Sequence, residues 1–243
     1  MLSSVIKYAT LLFLITFSFS YAQSTYKTGE MIISASPEEI MGADAMRFNS
    51  IIKKDAIIEW EVYVPENYDP NRPAGLMVYA GAPQNVRAPF GWMSVMKDKN
   101  MIWVAARKSG NGSSYKQKEL LTLMSAPLIE RDYKIDPNRV YISGEGRIAS
   151  VVIMDYPEIF KGAILSGYNI WSKNPEAKVE QILDKRFVFV TRFRNTGGIA
   201  NSALYSYNKF KEAGVKNINL VRIQGRFRYD RRKFLSSIEF LDQ

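Results

Sequence analysis

From residue 56 to the C-terminus, short apolar runs alternate with longer stretches that carry apolar residues at helical spacing. This alternation constrains the fold more than any other feature of the chain. Strand-like runs fall at 57–64, 75–79, 101–106, 139–142, 162–166, 187–191 and 217–223, and helical spacing at 90–97, 115–133, 148–155, 175–183, 201–213 and 231–241. The punctuation agrees with this division. Pro65 and Asn67-Tyr68-Asp69-Pro70 stop the first run, Pro157 closes one helix, Pro175 stands in the first turn of another, and Gly214 ends a third. Pro127 falls inside the longest helical stretch and predicts a kink or a break there. Strands that alternate with helices build a mostly parallel sheet with helices on both faces, so the expected class is α/β.

The length of 243 residues suits one such domain, and an apolar fraction of 47% supports a sizeable core. We expect residues 56–243 to form it and residues 23–55, which are less regular, to form an N-terminal extension with one edge strand. Residues 1–22 have the pattern of a cleaved signal peptide. Lys7 gives the short first region its positive charge, 8–19 is nearly free of polarity, and Ser20 and Ala22 place small residues where a signal peptidase reads. The apolar run is too short for a membrane-spanning helix, which needs about 20 residues, so no span is expected in the mature chain. Secretion or export to a periplasm is the expected localisation. Asn111-Gly112-Ser113 matches a glycosylation sequon, a pattern too short to carry an argument.

Two residue types are missing altogether. Without cysteine there are no disulfides, thiolate metal sites or cysteine nucleophiles. Without histidine there is no Ser–His or Cys–His catalysis and no histidine-ligated metal. Asp and Glu show no metal-ligand spacing, so neither metal nor cofactor is expected. The net charge is +9. A basic excess suits an anionic partner, but no nucleic-acid motif is present.

The phrase Ile135-Asp136-Pro137-Asn138-Arg139-Val140-Tyr141-Ile142-Ser143-Gly144 resembles secreted α/β-hydrolases of the polyhydroxybutyrate depolymerase and feruloyl esterase type. Arg87-Ala88-Pro89-Phe90-Gly91-Trp92, Ile102-Trp103-Val104-Ala105-Ala106-Arg107, Tyr156-Pro157-Glu158-Ile159-Phe160-Lys161-Gly162-Ala163 and Ile238-Glu239-Phe240-Leu241-Asp242 are similar as well. The resemblance covers about residues 55–243 and implies an α/β-hydrolase fold. It also implies a G-x-S-x-G turn, in which a strand bends sharply into a helix and exposes a nucleophilic serine.

That motif is absent. Anchored on the strand, Gly144-Glu145-Gly146-Arg147-Ile148 takes its place, with Gly146 where the serine would stand. Anchored on the helix, Ser143-Gly144-Glu145-Gly146-Arg147 keeps a serine, and Tyr141 and Glu145 replace the two glycines. Either way the segment is about three residues shorter than the family pattern implies. The family's acid position is matched by Asn195, which cannot carry the charge that stabilises an imidazolium. The histidine position is matched by Arg228, which stays protonated and cannot act as a general base. A chain stripped of triad members retains only about 10³–10⁴-fold catalysis over water.

Ser143 is thus the candidate nucleophile position, ordinary as a serine at a strand end. A Ser–Lys pair would be the obvious rescue, but no lysine falls in the loops where this fold places its site. Glu145 suits the start of the following helix, where a carboxylate is favoured. Arg147, Arg192, Arg194, Arg226 and Arg228 come from three segments that the fold brings to one rim, at the carboxyl ends of the strands. Guanidinium groups there suit a small anionic ligand, although a solvated basic face is the ordinary role of such residues. Trp92, Trp103 and Trp171 are candidates to line the same cleft, with the core as their commoner place. The sequence therefore predicts an exported α/β-hydrolase-fold protein with a degenerate triad and an arginine-rich, anion-binding cleft. The alternative is a serine esterase acting on an ester-like substrate through Ser143 and an atypical base. The oligomeric state is not legible.

Overall fold

The computed structural model describes residues 26–89, 91–145, 147–166, 179–192, 199–223 and 230–243. Eight strands form one sheet: β1 (Gly29–Ala35), β2 (Ile58–Val64), β3 (Ala74–Ala80), β4 (Met101–Ala106), β5 (Ile135–Glu145), β6 (Gly162–Ser166), β7 (Arg186–Arg192) and β8 (Ile218–Ile223). Their order across the sheet is β1-β2-β4-β3-β5-β6-β7-β8. β2 runs antiparallel to both of its neighbours, and every pair from β4 to β8 is parallel. The helices are α1 (Pro37–Met41), a 3-10 turn (Gly42–Phe48), α2 (Trp92–Asp98), α3 (Tyr115–Asp132), α4 (Arg147–Asp155), α5 (Ile199–Glu212) and α6 (Arg231–Leu241). Of the expected helix at 175–183, residues 175–178 lie outside the described residues.

Side chains alternate across a strand, and the sheet uses both sides. Trp60, Leu76, Ile102, Ile142, Leu165 and Phe189 face α3, α4 and α5, meeting Leu121, Met124, Ile148, Val152 and Phe210. Met77, Trp103, Tyr141, Ile164 and Val188 face the other way, toward Val95 of α2 and Phe234 and Ile238 of α6. This two-sided burial explains why the inner strands read as continuous apolar runs. Side-chain oxygens hold the helix starts: Ser36 and Glu39 form a capping box, Ser114 accepts from Gln117 N, and Asp230 accepts from Lys233 N.

Two details go beyond the sequence expectation. α3 continues as one helix through Pro127. A proline inside a helix costs about 3 kcal/mol. Leu120, Leu121, Met124, Leu128 and Ile129 are buried on either side of it, and each buried side chain of this size contributes about 1.5–3 kcal/mol. Tertiary burial therefore outweighs the local loss. β5 begins at Ile135, upstream of Pro137. Its register against β3 shifts between Ala74↔Ile135 and Leu76↔Val140, so Pro137 sits in a bulge. No ladder hydrogen bond is needed there, and Asn138 N is satisfied locally by Asp136 Oδ1 at 2.9 Å.

The C-terminus is pinned to β5. Arg139 donates to both Asp242 carboxylate oxygens, from Nε at 3.0 Å and Nη2 at 2.9 Å, and the Tyr141 hydroxyl donates to Asp242 Oδ1 at 2.8 Å. Burial and then Asp242 push the Tyr141 hydroxyl well above the ordinary tyrosine range. Burial, then the neighbouring carboxylate, pushes Tyr63 beside Glu66 and Tyr156 beside Glu119 each up to about 12. The sign of the linkage follows. Below the unfolded-chain value near 10 these groups are neutral in both states and their contribution is complete. Above it the unfolded chain loses protons first. Urea midpoints should therefore be flat up to about pH 10 and fall steadily toward pH 12.

Candidate functional site

Because the strands from β4 to β8 are parallel, their carboxyl ends form one rim, the usual location of a site in an open α/β sheet. At its centre β5 ends at Glu145 and α4 starts at Arg147. The single residue between them, Gly146, lies outside the described residues. Gly144 fits this strand end because β3 runs close beside it. A Cβ there would lie 2.5 Å from Ala80 O. The Ser166 hydroxyl donates to Gly144 O at 3.1 Å and ties the end of β6 to β5.

Ser143 does not stand at the turn. It sits in the ladder, opposite Tyr79 of β3 and Ile164 of β6. It is 1% exposed, and its Oγ has no hydrogen-bond partner among the described residues. An activated serine requires a base within hydrogen-bond reach.

The loops after β3 and β4 are fastened to each other. Ala82 N donates to Ser109 Oγ at 2.8 Å, and the Ser109 hydroxyl donates to Ala106 O at 2.8 Å. Arg107 donates from Nε to Gln84 O at 2.9 Å and from Nη2 to Asn85 Oδ1 at 3.2 Å, and it pairs with Glu59 at 3.4 Å. In a serine hydrolase of this layout, a backbone N–H from the loop after β3 binds the oxyanion. Here one such N–H is already engaged. Ser109 carries no mark in the sequence, because its partner is 27 residues away.

Among the predicted arginines, Arg147 opens α4 and is exposed, with its guanidinium carbon 4.9 Å from the centre of the Tyr115 ring. Burial pushes the Tyr115 hydroxyl up, while the charge of Arg147 pulls it the other way. Arg192 is the last residue of β7, in register with Ile223 of β8. β6 lies between β5 and β7, so these two strand ends are about 10 Å apart across the rim. Arg194, Asn195, Arg226, Arg228 and Trp171 lie outside the described residues. Trp103 is fully buried, and Trp92 stacks on Phe234 at 3.9 Å between ring centres, so both belong to the core. Among the described residues, no group of three or more acidic side chains is arranged to hold a metal ion. No helix among them is long and apolar enough to cross a membrane.

No family model matches the chain, and no curated protein matches it. Solved structures do. The feruloyl esterase module from Clostridium thermocellum, solved with sinapinate, matches with a TM-score of 0.54 at 13% identity, over 88% of each chain. A thermostable esterase matches with a TM-score of 0.57 at 15% identity, over 87% of this chain and 59% of its own. A putative dipeptidyl aminopeptidase IV from Bacteroides ovatus matches with a TM-score of 0.61 at 13% identity, over 86% of this chain and 35% of its own. The chain thus spans less than two thirds of the last two proteins. Likeness at these identities establishes the fold: this is an α/β-hydrolase fold, with the mostly parallel sheet and two-sided helical cover that the sequence predicts.

Proposed function

We propose that this chain is an exported, non-catalytic protein on an α/β-hydrolase fold, whose rim binds a small anionic ligand through arginine side chains. The observation that carries the reading is the absence of histidine from all 243 residues, which removes the general base under any alignment. Three local features support it. Ser143 lies within β5 with its hydroxyl unpartnered among the described residues. Gly146, not a serine, stands in sequence between the last residue of β5 and the first of α4. Ala82 N–H is bound to Ser109. The anion-binding half rests on Arg147 at the start of α4 and Arg192 at the end of β7, with Arg194 two residues further along the chain and Arg226 and Arg228 in the segment that follows β8 in sequence. Guanidinium forks suit carboxylate or phosphate oxygens, and stacking on Tyr115 limits the orientations open to Arg147. Export rests on the signal-like pattern of residues 1–22.

The test pairs hydrolysis with binding. The protein and Ser143→Ala should turn over short-chain aryl esters at the same rate, neither above the buffer blank. A rate that disappears in Ser143→Ala would sink the non-catalytic reading and favour a serine hydrolase with an atypical base. For the ligand, inorganic phosphate should raise the melting temperature, and Arg192→Gln with Arg228→Gln should abolish that rise. An undiminished rise in the double variant would remove the arginine rim from consideration.

A further inference from the structure

A second concavity lies on the sheet away from β5. β2 runs antiparallel to β4, so the start of β2 and the end of β4 share a corner, extended by Arg107 N donating to Glu59 O at 2.9 Å. Between that corner and the first turns of α3 is a cavity of about 420 Å³, within the range of roughly 300–1,000 Å³ usual for small-ligand sites. In the sheet order, β3 lies between β4, whose end borders the cavity, and β5. Its lining is mixed. Ile52, Ile58 and Leu121 are apolar, and so is Ile57, which is 70% exposed. Glu59 and Arg107 also line it, and their charges cancel in an ion pair at 3.4 Å. The remaining charge is Lys108, exposed and without an acidic partner among the described residues.

Lys108 is also held in an unusual backbone conformation. Its φ is +58°, in the left-handed region that side chains disfavour. The Ser113 hydroxyl, donating to Lys108 O at 2.6 Å, fixes the turn. Backbone strain of this kind persists where the surrounding structure over-determines it, and it gathers at ligand sites. An apolar lining with one uncompensated cation selects its ligand. A neutral lipid would leave the ammonium unused, a cation would meet repulsion, and a bare inorganic anion would leave the apolar wall unfilled.

We propose that this cavity binds a small amphipathic monocarboxylate, its hydrocarbon body on Ile52, Ile58 and Leu121 and its carboxylate at Lys108. The test is calorimetric titration of the whole protein with decanoate below its micellar range, beside decyltrimethylammonium and sulfate. The expected result is one saturable decanoate site, with neither control ligand filling it. Lys108→Gln and Ile57→Glu should each weaken decanoate at least tenfold, and both positions are exposed enough to leave the melting temperature nearly unchanged. Lys216→Gln, which removes the same charge beside the far edge of the sheet, should leave the affinity as it was. The proposal is overturned by absence of saturable binding, by equal binding of the decyl cation, or by decanoate affinity that survives both cavity variants.

Discussion

Replacing Gly144 by alanine should lower the unfolding free energy by about 3 kcal/mol, read as a fall in urea midpoint at unchanged slope. The added Cβ would lie 2.5 Å from Ala80 O and 3.2 Å from Ala80 N. Both are backbone atoms of a hydrogen-bonded neighbour, so no rotamer change can relieve the contact. β5 is also held from its other side by β6, in register from Tyr141↔Gly162 to Glu145↔Ser166. Gly75 provides the comparison. A Cβ there would first meet the flexible end of Met101, at 3.0 Å, so Gly75→Ala should cost about 1 kcal/mol. If the two variants behaved alike, the close approach of β3 and β5 would not be the reason for glycine at 144.

That glycine marks how far the sequence could be read. The α/β alternation was legible because burial on two faces makes each inner strand a continuous apolar run. The runs at 101–106 and 162–166 and the helix at 231–241 match the observed elements at both ends. Two extents were not legible for one reason: α3 runs unbroken through Pro127 and β5 begins upstream of the strand read at 139–142, both through contacts distant in sequence. α3 is held by its apolar stripe against the sheet, and β5 accommodates its proline through a bulge against β3.

The site was legible in one respect only. The missing histidine is a fact of composition that needs no structure to interpret. The choice between the two alignments of residues 143–148 is not settled by local pattern, since each keeps part of the motif. Pairing is what bears on it, because Ser143 lies opposite both Tyr79 and Ile164 inside the ladder. The Ser109–Ala82 bond and the left-handed Lys108 were invisible for a different reason. Both belong to loops whose conformation is set by partners elsewhere in the chain, and turn residues such as Ser109-Gly110 state that the chain bends without saying what it meets.

Truncating Phe234 to alanine should have a still larger effect, about 4 kcal/mol, because a fully buried aromatic leaves a cavity as well as a lost transfer term. Its ring lies parallel to that of Trp92, 3.9 Å away at an interplanar angle of 5°. This stack joins α6 to α2 over one face of the sheet. Against a usual domain stability of about 5–15 kcal/mol, the loss is a large fraction. Phe234→Leu, which keeps much of the volume, should lose less than half as much. A cycle with Trp92→Ala should yield a coupling of about 1 kcal/mol beyond simple burial. The consequence extends past the stack, because α6 ends at the Asp242 clamp on Arg139 and Tyr141. If α6 docks as one unit, Phe234→Ala should also let Tyr141 ionise closer to the ordinary tyrosine value, making the Tyr141 share of the alkaline loss of stability smaller. A Tyr141 titration unchanged in that variant would mean that the clamp holds the chain end independently of the stack.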